Sequence, residues 1–425
     1  MTAPITAERI PELLKPGMRV FVSGCLGESA TIRRALQAAP EAARGVTFCG
    51  VLVPGLSDTD YAALHPEAEG ESFFLPPWQR DSFDAGRLRL LPLNYSAIPD
   101  YLENGPRFDL AIVQVAADGT ADHGFGACAD FQPYALRNCD RVLAHLNPRL
   151  PATRGHDRLP AARIDWLLEA EEALPDFPDA APNPVQQAIA QNCATLIRDG
   201  DVIQIGIGKV QSAILQALSG HRDLGFHSGL VTDAAWQLVE SGAITGARRN
   251  VDRGLLVAGS AAGTAALYRG LSADFVEIRP VRRTHMVTEV ARIENFVSLN
   301  GALEVDLFGQ VNSELVDGRF FSGVGGFNDF VRGARLSPGG RSIVALPAAL
   351  RGGGSRIVAS LSGAGRPAAP LTGARADSDI VVTEFGVADL RHLDLDGRAA
   401  ALIAIAPESA RETLSRAWQA MRRAL

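Results

Sequence analysis

The stretch Asp201–Gly242 contains the residues whose order most clearly suggests a binding site. Val202–Ile205 is a β-branched, apolar run of strand length, and Gly206 and Gly208 follow it directly. A helical apolar pattern begins after the second glycine. Backbone N–H groups in such a strand–glycine–helix loop suit a phosphate or a carbonyl oxygen. The spacing lacks the third glycine of the dinucleotide-binding motif, and an ordinary strand-to-helix turn is the alternative interpretation.

Metal-binding residue types occur in two further places. Asp118, Asp122 and His123 lie in a glycine-rich stretch, but adjacent polar residues in a loop are more often turn formers. The chain has five cysteines, none at CxxC spacing: Cys25, Cys49, Cys128, Cys139 and Cys193. An odd number of scattered cysteines is typical of a reducing compartment. We therefore expect buried thiols and no metal site.

The elements that must position these residues alternate between strand and helix. Strands are predicted at 18–23, 46–53, 88–91, 110–115, 202–205, 254–257, 342–347 and 380–383, and helices at 29–39, 185–197, 262–271 and 408–425. The unit that starts at Met18 has the same strand–glycine–helix layout as the one at Val202. The pattern predicts an α/β protein with two similarly built halves, whose ligands bind at the carboxyl ends of the strands.

Three irregular segments divide this pattern. Pro54–Trp78 has little periodicity and is predicted to be a long functional or mobile loop. Leu150–Pro184 is rich in proline and acidic residues, which predicts a linker and a domain boundary near Asn183. The predicted domains are 1–183 and 184–425. Ser322–Gly333 is predicted to be a second glycine-dense loop.

Length and charge restrict the classes of protein. A chain of 425 residues is too long for one core, and its net charge of −7 with 6% aromatic residues argues against nucleic-acid binding. The N-terminus lacks the basic and apolar segments of a signal peptide, and no apolar run approaches a membrane span. We expect a cytoplasmic protein without a membrane partner.

Seven segments together resemble the acetyl-CoA hydrolase/transferase family, the family I CoA-transferases that include 4-hydroxybutyrate and butyrate CoA-transferases. The segments are VSGCLGESATIRRAL, DLAIVQVAADGTADHGFGACADF, DVIQIGIGKVQSAIL, LGFHSGLVTD, ENFVSLNGALEVDLFGQVNSE, FFSGVGGFNDFVRGA and SDIVVTEFGVADLR. The resemblance implies two open, mainly parallel α/β domains of similar build, with the active site and acyl-CoA between them. It also implies a homodimer or homotetramer.

The resemblance also implies a covalent mechanism. A glutamate carboxylate attacks the acyl-CoA thioester, the resulting anhydride becomes a glutamyl-CoA thioester, and an acceptor carboxylate then takes the CoA. Glycine loops stabilise the oxyanions through backbone N–H groups. By resemblance, Gly206, Gly208, Gly325 and Gly326 belong to the oxyanion and CoA loops, and Glu384 to CoA binding.

The sequence departs from the family at the nucleophile. The family has HSE or HTE before a short apolar run and an aspartate, whereas this chain has His227-Ser228-Gly229. Glycine has no side chain and cannot form the anhydride. A smaller departure is Phe327, where many relatives have glutamine.

Several side chains could replace the missing nucleophile, each with a structural alternative. Glu28 is the first candidate and could instead be an acid favoured by a helix N-terminus. Glu304 is the second and could instead form a buried ion pair, with Arg292 as one partner. Glu384 has a strand-end alternative. Asp233 has a short reach, and His227 is expected to be a structural histidine.

The favoured function is transfer of CoA between a short acyl-CoA and a small carboxylic acid. The alternatives are an acyl-CoA hydrolase, in which water fills the volume vacated at Gly229, and a non-catalytic acyl-CoA-binding protein or subunit. No cofactor beyond CoA or acyl-CoA as substrate is implied.

Overall fold

A computed structural model of the chain describes residues 2–53, 56–117, 119, 122–155, 157–316, 318–350, 352–362 and 369–424. Contacts divide it into two compact units. Unit 1 contains residues 1–178, 229–233 and 257–284, and unit 2 contains 179–228, 234–256 and 285–425. Each unit consists of three separate stretches of the chain, so a single boundary cannot be compared directly with this division. The predicted boundary at 183/184 stays a prediction.

The strands are β1 (Ala3–Pro4), β2 (Arg19–Val22), β3 (Thr47–Gly50), β4 (Glu69–Ser72), β5 (Leu88–Leu90), β6 (Phe108–Ala116), β7 (His123–Gly124), β8 (Cys139–Asn147), β9 (Arg158–Leu159), β10 (Trp166–Glu169), β11 (Val202–Ile205), β12 (Gly225–Thr232), β13 (Leu256–Ala262), β14 (Val276–Ile278), β15 (Phe296–Gly301), β16 (Glu304–Asp306), β17 (Val311–Asn312), β18 (Leu315–Val316), β19 (Arg319–Phe320), β20 (Arg341–Ala345), β21 (Ile357–Val358), β22 (Ile380–Thr383) and β23 (Gly386–Asp389).

The α-helices are α1 (Ala30–Ala38), α2 (Arg80–Asp84), α3 (Ile98–Asn104), α4 (Gln132–Arg137), α5 (Pro184–Ala194), α6 (Lys209–Ala217), α7 (Asp233–Glu240), α8 (Ala265–Gly270), α9 (Val281–Thr284), α10 (Val287–Val290), α11 (Phe327–Leu336), α12 (Leu395–Ala404) and α13 (Glu408–Arg422). Among the described residues, no helix combines the length and the hydropathy needed to cross a bilayer.

The main sheet of unit 1 is parallel, in the order β1-β10-β8-β6-β2-β3-β4-β5. Its central strands are nearly continuous apolar runs because they are covered on both faces. One core cluster joins strand and helix residues, including Val20, Ile32, Leu36 and Ile112. The end of β12 and strands β13 and β14 also belong to this unit.

The main sheet of unit 2 has the order β12-β11-β15-β20-β22-β23, parallel except for its last pair. All four residues of β11 are buried, as expected for an inner parallel strand. Helix α5 begins with a reciprocal capping box between Asn183 and Gln186, with Pro184 at its first position. Both units therefore confirm the predicted α/β class.

Three segment predictions are wrong in part. The predicted loop Pro54–Trp78, of which Pro54 lies outside the described residues, contains β4, paired on both sides. The predicted linker Leu150–Pro184 contains β10, which pairs with β1 and β8. The predicted loop Ser322–Gly333 contains the start of α11. Polar residues, prolines and glycines hide these elements from a search for apolar periodicity.

Glu71 explains why β4 has no apolar pattern. Its side chain is fully buried and forms ion pairs with Arg19 and Arg89. Tyr101 donates a hydrogen bond to the same carboxylate, with an oxygen–oxygen distance of 2.9 Å. A glutamate is normally predicted to lie at the surface. Glu71 can be buried because its charge is paired with the two arginines.

Candidate active-site residues

A cavity of about 140 Å³ lies at the carboxyl edge of the parallel sheet in unit 1. Its lining includes Cys25, Glu28, Arg33, Gln114 and Glu172. These residues come from the β2–α1 turn, from α1, from β6 and from the segment after β10. The volume corresponds to roughly four to five water molecules, which is the size of a short acyl group or a small acid.

Glu28 is the candidate nucleophile that this cavity contains. It is half-buried, and the Tyr61 hydroxyl donates a hydrogen bond of 2.8 Å to its Oε1. Burial raises the pKa of the Glu28 carboxyl above its ordinary value, opposed by hydrogen bonds from Tyr61 and Thr59 and by the Arg33 charge. A pKa that is shifted by burial and by a defined set of partners is typical of carboxyl groups at functional sites.

The N-terminus of α1 does not need Glu28. Ser29 is the N-cap and its Oγ accepts a hydrogen bond from the Ile32 N–H. The two carboxylate oxygens of Glu172 accept hydrogen bonds from the first N–H groups of the helix, those of Ala30 and Thr31. Ser29 and Glu172 therefore provide the interactions at the start of α1. The alternative interpretation of Glu28, as an acid that stabilises this helix N-terminus, is not needed.

Two polar side chains in the cavity lining are held in place by the surrounding structure. The Gln114 amide donates to the carbonyl oxygens of Leu26 and Glu28, and its Oε1 accepts from Asn147 at 2.8 Å. Arg33 donates to Thr59 at 3.2 Å, while its buried Nε has no hydrogen-bond partner among the described residues. An unsatisfied guanidinium N–H beside a cavity is a donor available to a ligand.

The carboxyl edge of the sheet in unit 2 carries the predicted glycine loops. Gly206 and Gly208 follow β11, and Gly208 is the N-cap of α6 with a φ of 134°. A Cβ on Gly208 would lie 2.7 Å from Oε1 of Gln211, and a Cβ on Gly301 would lie 2.8 Å from its Nε2. The Gln211 amide thus lies between the loop after β11 and the end of β15. The positive φ of Gly208 requires glycine in the loop after β11.

Gly325 and Gly326 precede α11 in the same way. Gly325 has a φ of 61°, and Gly326 is the N-cap residue. A Cβ on Gly326 would lie 2.6 Å from Cδ2 of His285. Burial and the neighbouring His227 lower the pKa of His285 to about 3, so its ring is neutral at ordinary pH. Phe327, at the family's glutamine position, packs in the apolar core of unit 2.

The other candidate glutamates have contacts of a structural kind. Glu304 is half-buried and accepts a hydrogen bond from the Asn312 amide at 3.2 Å. Burial lowers the pKa of Arg356, and the negative charge of Glu304 acts in the opposite direction. The suggested partner Arg292 forms an ion pair with Glu289 instead. Glu384 lies at the end of β22, where its Oε2 accepts from the Ala348 N–H at 2.8 Å.

Gly229 lies within β12, half-buried, and its φ is outside the left-handed region. A side chain at this position would meet no backbone strain. Asp233, four residues further on, accepts hydrogen bonds from the N–H and hydroxyl of Thr264 at 3.1 and 3.2 Å. His227 is buried with its Nδ1 3.4 Å from a nitrogen of Arg249, as a structural histidine would be.

Of the residues considered as metal ligands, Asp122 has a contact with the backbone, and the cysteines are buried. Asp118 lies outside the described residues, and the Asp122 carboxylate accepts from the Ala161 N–H at 3.3 Å. All five cysteines are buried free thiols, which confirms the prediction of their burial. The expectation that Asp118, Asp122 and His123 do not bind a metal stays a prediction.

Two mainly parallel sheets with glycine loops at their carboxyl edges are typical of an α/β ligand-binding protein. The acetyl-CoA hydrolase/transferase N-terminal domain matches residues 3–177, and the C-terminal domain of that family matches residues 263–418. The chain belongs to the acetyl-CoA hydrolase/transferase family. The family prediction is therefore confirmed, together with the fold.

The relatives include transferases and hydrolases. The chain is 32% identical to the 4-hydroxybutyrate coenzyme A transferase of Clostridium kluyveri, over 96% of each chain. It is 32% identical to the succinyl-CoA:cyclohexane-1-carboxylate CoA transferase of Geobacter metallireducens, over 94% of this chain and 91% of that one. The acetyl-CoA hydrolase of Eremothecium gossypii is 28% identical over 75% of this chain and 68% of its own.

Solved structures agree with the fold. RipA from Yersinia pestis matches with a TM-score of 0.90 and 26% identity, over 99% of this chain and 97% of that one. The names of these relatives support the predicted acyl-CoA chemistry, with CoA transfer first and hydrolysis as its alternative.

Proposed function

We propose that this protein transfers CoA between a short acyl-CoA and a small carboxylic acid, and that Glu28 supplies the reacting carboxylate. One observation carries the assignment to Glu28: this residue lines the 140 Å³ cavity while Ser29 and Glu172 cap the adjacent helix. The transferase names of the more similar relatives support the reaction class.

The reaction then proceeds in balanced exchanges on Glu28. A carboxylate oxygen attacks the thioester carbonyl, the C–S bond breaks, and CoA leaves as the thiolate. The thiolate attacks the glutamyl carbonyl of the anhydride and expels the original acid as its carboxylate. The acceptor carboxylate next attacks the glutamyl-CoA thioester, which releases the CoA thiolate and joins the acceptor to Glu28 as an anhydride. The thiolate then attacks the acceptor carbonyl of this anhydride, which forms the new acyl-CoA and regenerates the Glu28 carboxylate.

The surroundings of Glu28 suit these steps. Burial makes the carboxyl more basic, which strengthens it as a nucleophile once it is ionised. The Tyr61 hydroxyl and the Arg33 charge favour the ionised form. Each covalent species is neutral, so burial stabilises it relative to the free carboxylate. In unit 2, Gly206, Gly208, Gly325 and Gly326 are proposed to serve as oxyanion and CoA loops, with Glu384 beside CoA.

Hydrolysis is the second candidate function, and the raised pKa of Glu28 favours it. A carboxyl of raised pKa is a general base for water, and the cavity beside it has room for several water molecules. Glu28 would remove a proton from water as the water oxygen attacks the thioester, and CoA would leave without an acceptor.

Replacement of Glu28 by glutamine tests the assignment. We expect Glu28→Gln to lower kcat by at least about a hundredfold with KM for acyl-CoA little changed. The exposed Glu41→Gln is the control and should retain wild-type rates. Full activity of Glu28→Gln, with activity lost in Glu304→Gln, would move the reacting carboxylate to Glu304.

The remaining features of the proposal follow the family. By family, the expected substrates are acyl-CoA and small aliphatic or dicarboxylic acids. The reaction requires no cofactor beyond CoA, and the protein is expected to act in the cytoplasm as a homodimer or homotetramer. Light scattering of the purified protein measures the oligomeric state.

A further inference from the structure

A second group of chemically reactive side chains lies in unit 1, next to the cavity. Cys25 follows β2, and Cys128 and Asp130 lie in the segment after β7. The two sulfur atoms and one carboxylate oxygen lie within 4.8 Å of one another. Their exposed fractions are 6%, 3% and 5%. Neither the proposed transfer nor the alternative hydrolysis uses these three residues.

Asp130 is the member of the group that needs an explanation. Its Oδ1 is buried and has no hydrogen-bond partner among the described residues. Its Oδ2 is 4.0 Å from the sulfur of Cys128, which is a weak donor. Burial raises the pKa of the Asp130 carboxyl well above its ordinary value. An unsatisfied buried carboxyl costs free energy unless a ligand completes it.

The space beside these atoms has the size of a single small ligand. A cavity of about 10 Å³ is lined by Cys25, Cys128 and Asp130, together with neighbouring residues including Gly24 and Gln132. This volume is close to the smallest that holds one water molecule or one ion.

The backbone fixes the three donors independently of any ligand. Cys25 has a φ of 52°, which is rare for a residue with a side chain, and its N–H donates to Ser57 Oγ at 2.6 Å. The Gln132 amide donates to the Cys128 carbonyl at 2.6 Å. A Cβ on Gly259 would lie 2.2 Å from Oδ1 of Asp130, so only glycine admits the carboxyl there.

We propose that Cys25, Cys128 and Asp130 bind one zinc ion in unit 1. Two thiolates and a carboxylate are a donor set that Zn²⁺ accepts, whereas Mg²⁺ and Ca²⁺ prefer oxygen donors alone. These residues supply three of the four ligands of a tetrahedral site. Binding releases the protons that the two thiols carry.

The ion would join the turn after β2 to the segment that leads into α4. It would stabilise unit 1 next to Glu28, because Cys25 also lines the larger cavity. The two cysteines are far apart in the chain and lack CxxC spacing, so the sequence does not reveal this group. The proposal does not depend on whether the enzyme transfers CoA or hydrolyses acyl-CoA.

Metal uptake by the full-length protein tests the proposal. The protein is reduced, stripped with a chelator and incubated with Zn²⁺, or with Co²⁺ as a spectroscopic probe, and excess metal is then removed. We expect about one ion per chain by elemental analysis. We also expect sulfur-to-cobalt charge-transfer absorption and the intense d–d bands of a tetrahedral site.

Three variants separate this site from other thiols. Cys128→Ser should have weaker charge-transfer absorption, because only the Cys25 thiolate remains, and should bind Zn²⁺ at least about tenfold more weakly. Asp130→Asn should weaken binding while preserving side-chain volume, and it keeps the proposal testable if Cys128→Ser does not fold. Cys193→Ser is the matched control, since Cys193 is a fully buried thiol in unit 2, and it should bind as the wild type does.

Three results would overturn the proposal. The first is metal uptake far below one ion per chain, without thiolate absorption. The second is equal uptake by the wild type, Cys128→Ser and Asp130→Asn, which would indicate adventitious binding. The third is a Cys25–Cys128 disulfide in protein isolated without reductant, with no metal uptake after reduction, which would make the group a redox pair.

Discussion

At the scale of single residues, burial and the neighbouring groups have opposite effects on the pKa of the Glu28 carboxyl. Burial raises its pKa, while hydrogen bonds from Tyr61 and Thr59 and the Arg33 charge lower it. The balance leaves the pKa above the ordinary value of 4.5. If the ionised carboxylate reacts, kcat/KM should fall as the pH falls through this raised pKa.

The Tyr61→Phe variant tests this balance. The Tyr61 hydroxyl bonds to the carboxylate and favours the charged form, so its removal should raise the pKa of Glu28 further. The acid limb of the pH–rate profile should then move to higher pH. Tyr101→Phe is the control, because it removes a hydroxyl bound to the buried Glu71 instead. An unmoved limb in Tyr61→Phe would separate Glu28 from the reaction.

The stability of the protein should follow the same pKa. A carboxyl whose pKa is raised in the folded state binds more protons there than in the unfolded chain. Its contribution to stability is therefore fully present below the unfolded pKa and is lost as the pH rises through the folded pKa.

Gly229 offers a second test at the residue scale. Its backbone lies in β12 with a φ that any residue adopts, so Gly229→Glu should fold. In a Glu28→Gln background, we expect Gly229→Glu to recover part of the transfer activity, measured as new acyl-CoA formed in the presence of acceptor. No recovery in a folded double variant would show that a glutamate at 229 does not react in these surroundings.

At the scale of elements, the loop after β11 depends on a backbone conformation that only glycine adopts easily. Gly208 has a φ of 134°, and an added Cβ would approach Gln211 to 2.7 Å. We expect Gly208→Ala to lower the free energy of unfolding by about 1–3 kcal/mol and to reduce kcat, because the loop N–H groups would move.

Gly220→Ala is the matched control for this loop. Gly220 lies in the same strand–helix unit, its φ is outside the left-handed region, and an added Cβ would contact nothing within 4 Å. Chemical denaturation should give a change within about 0.5 kcal/mol for Gly220→Ala. An equal loss in both variants would contradict a special role for the Gly208 conformation.

Elements with regular apolar patterns could be predicted from the sequence, and those held by paired charges could not. Strands β11 and β22 occupy the predicted residues, since both are buried apolar runs. Strand β4 could not be predicted because its buried Glu71 is paired with Arg19 of β2 and Arg89 of β5. The glutamates Glu28 and Glu304 could be selected, but only the fold distinguishes a carboxyl in a cavity from one held by Asn312.

At the scale of the whole molecule, chain order and spatial grouping differ. Residues 229–233 and 257–284 belong to unit 1 although they follow residues of unit 2 in the chain. Composition indicates a linker near Asn183, but it contains no information on which later strands join the first unit. Gly229 lies in one of these returning segments.

In the proposed mechanism a carboxylate reacts covalently although residue 229 is glycine. The most direct measurement is to incubate the enzyme with a short acyl-CoA, treat it with borohydride, and map the modified peptide by mass spectrometry. Borohydride reduces a glutamyl-CoA thioester to an alcohol, so we expect reduction at Glu28, together with acceptor-dependent formation of new acyl-CoA. Release of free CoA without an acceptor, and no reduced residue anywhere in the chain, would contradict the account.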